Sequence, residues 1–307
     1  MNSISSIKKI SKKNNKDTSP YWSDRLKKDL PSKNKYYGFG GFKYRKFSTA
    51  TFYILNFVHL FFQIFTFKFN FFKIFNTRIY KITKRFSYNT RTPLDWRKLR
   101  HCYAFNKLDK YFKSIENLCI VGDGFATATY LALQRYPNIK KIISVNLNQI
   151  IFDDYLVLKK NKIKDSEICY CQSEKQFKSF LNSNKKICFI SSDNKNILKE
   201  KKIDFFFNMF SFNEMTKETI DEYIQIIESC KSYIYSCNPK KKWTIVNDKL
   251  ISDEYKNMGK INFLGSKKIF QEKPFWLNKI YYIKTLNIFG ERYSKRKEIS
   301  HILRKFN

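Results

Sequence analysis

The chain has 307 residues, 43% hydrophobic and 18% aromatic, which is enough apolar material for a core and too much for wholesale disorder. Eight glycines and six prolines exclude a collagen-like chain, and seven cysteines without a C-x-x-C pair exclude a paired zinc motif or a disulfide framework. The net charge of +34 favours polyanionic partners without choosing among nucleic acid, anionic lipid and phosphorylated sugars.

The charge is uneven. Residues 1–113 carry 26 Lys/Arg against 5 Asp/Glu, so most of the excess lies in the first third. Residues 1–35 are rich in Ser, Lys and Asn, lack an apolar signal segment and read as a flexible basic tail, with Tyr21 and Trp22 as a local anchor. Gly38 to Gly41 reads as a turn or hinge. From Phe47 to Phe67 no residue is charged, a run near the length of a membrane span. Thr49, Asn56, His59, Gln63, Thr66, Asn70 and Lys73 nevertheless fall on one helical stripe inside an otherwise aromatic cylinder. A protein core, a membrane interface or a span would satisfy such a helix, and the stripe argues against a simple span. The expectation is a mostly buried helical segment over 47–75, peripheral to the sheet, whose basic flanks would suit an anionic membrane surface if it lies at one.

Pro93-Leu94-Asp95-Trp96 opens a helix ending near Phe112. Short Val/Ile/Cys/Phe runs then alternate with helical patterns: 117–121, 124–136, 139–147, 149–160, 167–171, 173–182, 186–191, 203–209, 215–230 and 233–237, with a late strand at 281–286. That alternation predicts an α/β fold, a Rossmann-like three-layer sandwich with a mostly parallel sheet. The expected organisation is the tail over 1–35, a helical aromatic-rich region over 36–113 and the Rossmann-like domain over 114–307. Cysteines in strand-like runs suit reduced thiols in a cytoplasmic protein, and Cys169-x-Cys171 without a second pair gives no metal expectation.

Three segments carry candidate chemistry. The first strand runs into Gly122-Asp123-Gly124-Phe125-Ala126, where glycines let a ligand approach the backbone at a helix N-terminus. A tight turn alone would use the same glycines. The second strand ends at Asn146, where nucleotide-binding α/β domains usually offer a carboxylate to ribose hydroxyls. The run Asp204-Phe205-Phe206-Phe207-Asn208-Met209-Phe210-Ser211-Phe212-Asn213-Glu214-Met215 opens from a buried strand into polar residues at the ligand-binding edge. A helix cap at Thr216-x-x-Thr219 fits its end equally well. Asp153-Asp154, adjacent on a helix, reads as a solvated face.

This order of motifs resembles the class I S-adenosylmethionine-dependent methyltransferases. It is most similar to the sugar O-methyltransferases of bacterial surface-polysaccharide gene clusters, over about residues 95–240. The resemblance implies S-adenosyl-L-methionine as cofactor, held by Gly122, Asp123, Gly124, Asn146, Asp193 and Asn208. It implies a sugar, nucleotide-sugar or glycan acceptor near Ser211 and Asn213; methyl transfer to a hydroxyl also needs a base, for which His101, about 20 residues before the glycine turn, and Glu214 are the candidates. The chain departs from that family's pattern at Ile120, Asp123, Ala126 and Asn146, which removes two carboxylates. An RNA methyltransferase remains an alternative on the charge, although no RNA-recognition module is visible and nucleic acid is not the expected partner. A degenerate, non-catalytic protein at the inner membrane surface is another.

Overall fold

The computed structural model describes residues 4–11, 13, 15, 48–67, 69–239, 244–246, 249–251, 263, 265–272 and 299–307. Tyr21, Trp22, the Gly38–Gly41 turn and the expected strand at 281–286 lie outside these residues.

The sheet is built from β1 (Asn117–Val121), β2 (Lys141–Asn146), β3 (Ile168–Cys171), β4 (Ile187–Ser191), β5 (Phe205–Met209), β6 (Tyr233–Pro239), β9 (Ser266–Glu272) and β10 (Ile299–Phe306). Two short strands, β7 (Thr244–Val246) and β8 (Lys249–Ile251), form a separate hairpin. The eight-stranded order is β3-β4-β2-β1-β5-β6-β10-β9. The first six are parallel, whereas β10 runs antiparallel between β6 and β9. This is the α/β, Rossmann-like arrangement that the alternating pattern predicts, extended at one edge by β3.

Successive residues of a strand point to opposite faces, so a sheet covered on both sides needs apolar residues at every position. β1 shows this directly, with Leu118 and Ile120 in one core cluster and Cys119 and Val121 in the other. On the first face lie α4 (Arg78–Thr90), α5 (Trp96–Phe112), α6 (Thr127–Arg135) and α7 (Asn148–Lys160). On the second lie α8 (Glu174–Leu181) and α9 (Lys217–Ser229). Thr216 caps α9 by accepting from the Thr219 N–H at 3.3 Å.

One helix lies within the residues read as a basic tail. α1 (Ile4–Ile10) buries Ile7 and Ile10 and packs on α7. Two isoleucines at i and i+3 suffice to dock one helical turn, a short signal inside a lysine-rich background.

α2 (Thr49–Phe67) and α3 (Phe69–Phe75) form where the stripe predicts helix, but the polarity is inverted. The middle of the polar stripe faces inward, while Thr49 and Lys73 are exposed: Gln63 donates to the Leu94 carbonyl at 2.6 Å, and the Leu94 N–H donates to Asn56 at 2.9 Å. His59 is buried beside them, while Tyr53, Ile54, Phe57, Phe61 and Phe65 are exposed. The expected mostly buried segment is therefore corrected. The Leu94 N–H and carbonyl take Asn56 and Gln63 as their partners, and satisfying these peptide groups competes with apolar burial of α2. Among the described residues, no helix is long and apolar enough to cross a membrane.

Candidate functional site

The candidate site lies where β1, β2, β4, β5 and β6 end. The β1–α6 turn is strained as a glycine turn should be: Gly122, Gly124, Phe125 and Ala126 all have positive φ, between 48° and 72°. The two glycines do different work. A Cβ on Gly122 would stand 2.2 Å from Ser211 Cβ, so its absence lets the segment after β5 cross the turn. A Cβ on Gly124 would meet nothing within 4 Å. The open side of the turn is thus at Gly124, where a cofactor's polar groups could approach the backbone.

The acidic residue of the turn serves the fold. Asp123 accepts from the Ala128 and Thr129 N–H groups at 2.8 and 2.7 Å, capping α6. Burial pushes its carboxyl up to about 6, opposed by those hydrogen bonds. Asn146 is likewise engaged: its amide donates to Asp154 at 3.0 Å and its oxygen accepts from Leu147 N–H. The other Asp154 oxygen accepts from Ala126 N–H at 2.8 Å. Asp154 is fully buried, which corrects its expected solvated face, and burial plus the nearby Asp123 raises its carboxyl well above the usual range. Asp193 lies half-buried in the 3₁₀ turn after β4.

A second polar knot joins the ends of β1, β5 and β6. Asn208 donates to the Val121 carbonyl at 3.1 Å and to Ser211 Oγ, and Ser211 donates to the same carbonyl at 2.9 Å. Asn238 at the end of β6 donates to Asn208 at 2.8 Å. Its own oxygen is buried with no hydrogen-bond partner among the described residues. An orphaned acceptor at the carboxyl edge costs stability unless a ligand or water donates to it, so it fits a bound polar group. Glu214 stands half-buried in the following 3₁₀ turn, and Asn213 lies in the same turn.

α5 brings its N-terminal end to this edge. Arg100 lies 4.5 Å over the Phe210 ring just beyond β5, whereas Phe112 packs on Phe205 at the strand's start. His101 packs against Phe207 with ring centroids 6.2 Å apart. Burial, then the Arg100 charge, holds its imidazole well below the usual range, and Nδ1 has no hydrogen-bond partner among the described residues. His101 is therefore a neutral imidazole whose Nδ1 is buried and unpartnered among the described residues.

The structure thus brings together Gly122, Gly124, Asn208 and Ser211, and it ties Asp123 and Asn146 into the fold. The sequence placed Asp154 on a solvated face and carried no reading of Asn238 or Asn15. Asn15 donates to Ser191 and Ser192 Oγ at 3.1 Å each and accepts from Asn148 N–H at 2.8 Å, stitching the leading segment onto the ends of β2 and β4. Asp154 had a readable signal, because neighbours on a helix diverge by about 100° and one of a pair can face inward.

Cys169, Cys171 and Cys188 carry sulfurs within 4.8 Å of one another. They are paired strand neighbours in the core, and the Cys169 and Cys188 thiols donate to the Ile187 and Phe189 carbonyls. Hydrogen bonds from Cys171 and Cys188 pull the Cys169 thiol down to about 4, while burial raises that of Cys188.

No protein family and no curated protein matches the chain in sequence. Among solved structures it is similar to the methyltransferase domain of the bacterial protein CtHen1, at 10% identity, covering 69% of this chain and 100% of that one, with a TM-score of 0.42. It is similar to an S-adenosylmethionine-dependent methyltransferase from Mesorhizobium loti, at 9% identity, 66% and 97% coverage and a TM-score of 0.38. A Thermoplasma acidophilum protein gives 10% identity, 75% and 98% coverage and a TM-score of 0.44.

Proposed function

We propose that the chain is an S-adenosylmethionine-dependent O-methyltransferase whose acceptor is a sugar hydroxyl, as nucleotide sugar or as growing surface glycan. The observation that carries this reading is the meeting of its two motif halves. The Gly122–Ala126 turn and the Asn208–Met215 segment, far apart in sequence, touch at Gly122 and Ser211 while Gly124 stays open. When bound, S-adenosylmethionine supplies an electrophilic methyl group to the acceptor oxygen.

This chain's residues would do the rest. Gly124 admits the cofactor's backbone-facing groups, and the Asn238 oxygen accepts a hydrogen bond from cofactor or acceptor. Ser211 and Asn208 hold the turn against the sheet. The acceptor hydroxyl must lose a proton as its oxygen attacks, and a base placed beside it typically contributes 10²–10⁴ in rate. We assign that proton to His101, held neutral and with its buried Nδ1 unpartnered among the described residues, and Glu214 is the competing carboxylate.

Purified protein supplied with methyl-labelled cofactor and a panel of nucleotide sugars, native glycan and RNA tests the reading. Label is expected in sugar. Label in RNA alone would move the acceptor to nucleic acid, and no label together with no cofactor binding would leave a non-catalytic protein. If sugar is labelled, His101→Ala and Glu214→Gln identify the base, since the true base should cost roughly 10²–10⁴ in rate.

A further inference from the structure

On α2 the side chains of Tyr53, Ile54, Phe57, Phe61 and Phe65 are each 48–69% exposed. At about 100° per residue they occupy one arc of roughly 120°, opposite the buried arc of Phe52, His59 and Gln63. An ordinary surface helix turns its apolar face to the core. This one is held by polar bonds to the Leu94 peptide and keeps its apolar face outside. Phe72 on α3 is exposed as well. Contiguous apolar surface of this kind marks a contact face.

The border of the strip is basic. Tyr53 packs against Tyr88 of α4, with centroids 6.2 Å apart, and Lys84 lies 5.9 Å above the Tyr88 ring. Arg78, Lys81 and Lys84 are all on the exposed side of α4, whose opposite side enters the core, and Lys73 is exposed on α3. An aromatic strip edged by lysine and arginine can seat its rings at the headgroup boundary while the cations meet anionic lipid. Two copies of this face would instead bring like charges together, in a region where residues 1–113 carry most of the net +34.

We propose that α2 and its basic border on α3 and α4 form a docking face for an anionic lipid bilayer, lying in the interface without crossing it. The proposal rests on the inverted helix alone and is independent of the methyltransferase reading.

Vesicle flotation of the full chain tests it. The protein should float with vesicles of roughly one-third phosphatidylglycerol in phosphatidylcholine, should float poorly with phosphatidylcholine alone, and should detach as salt is raised. The double variant Phe57→Ser/Phe61→Ser should bind at least about tenfold more weakly while melting as wild type, because both side chains already face solvent. A second measurement does not rely on those variants. In Phe61→Trp, emission should shift to the blue with anionic vesicles and be quenched by brominated lipid. Flotation with neither vesicle, or equal flotation with both, would overturn the proposal. So would a dimer, seen by light scattering, that the double variant dissolves without any lipid binding, since a second copy would then cover the strip.

Discussion

The Asn146 side-chain amide donates to the Asp154 carboxylate across 3.0 Å, and both residues are almost without solvent contact. Through its other oxygen Asp154 also holds Ala126 at the strained end of the glycine turn. Asp154→Ala would leave two buried donors unsatisfied, at about 1–3 kcal/mol for each. The variant should melt several degrees lower and bind S-adenosylhomocysteine more weakly than wild type, read by calorimetry. Unchanged melting would mean that the turn is held by other contacts.

The two glycines of the turn should separate stability from binding. Gly122→Ala drives a Cβ into Ser211 and should destabilise the protein by more than the roughly 1 kcal/mol that a positive φ alone costs a non-glycine residue. Gly124→Ala meets no protein atom, so it should fold with only that backbone cost while losing affinity for S-adenosylmethionine. Thermal melts paired with calorimetry on both variants make the comparison. Full affinity in Gly124→Ala would show that no ligand approaches the turn there.

Burial lowers the His59 imidazole from 6.5 to about 4, against the pull of Asp95. Between those values the unfolded chain binds a proton that the folded chain refuses, so stability falls as pH drops through that window. His59→Gln should make the acid limb of the melting profile shallower by about one proton. His301, lowered to about 4 by burial, keeps its own share of the acid sensitivity in that variant.

Gln63→Ala removes the donor that satisfies the buried Leu94 carbonyl, at about 1–3 kcal/mol. Because this bond helps anchor α2, protease cleavage between residues 48 and 75 should accelerate more than cleavage in the sheet. Equal acceleration everywhere would indicate global loss of stability instead.

The sheet was legible in the sequence because burial on both faces writes itself as short continuous apolar runs; β1 was anticipated at Asn117–Val121 residue for residue. α2 was legible as a helix with one distinct stripe, but periodicity is blind to which side faces in. That choice was made by the unpaired peptide groups around Leu94, far along the chain. The same limit applies at the site. Asn146 and Asp123 occupy the right ends of the right elements, yet Asp154 and the N-terminus of α6 claim their hydrogen bonds. Asn15 carries no local signal, since its partners are Ser191, Ser192 and Asn148.

β10 occupies an interior position, with His301 paired to Cys237 on one side and to Glu272 on the other, and with Leu303 and Phe306 buried. The strand that covers β6 is therefore synthesised well after it, since Ile299 pairs with Pro239. Until Phe306 emerges, β6 presents an unpaired edge, and the nascent chain carries that edge together with the aromatic surface of α2. Such long-range pairing is slow and prone to intermolecular contact. Production of the intact protein should depend on chaperones that shield the β6 edge during synthesis.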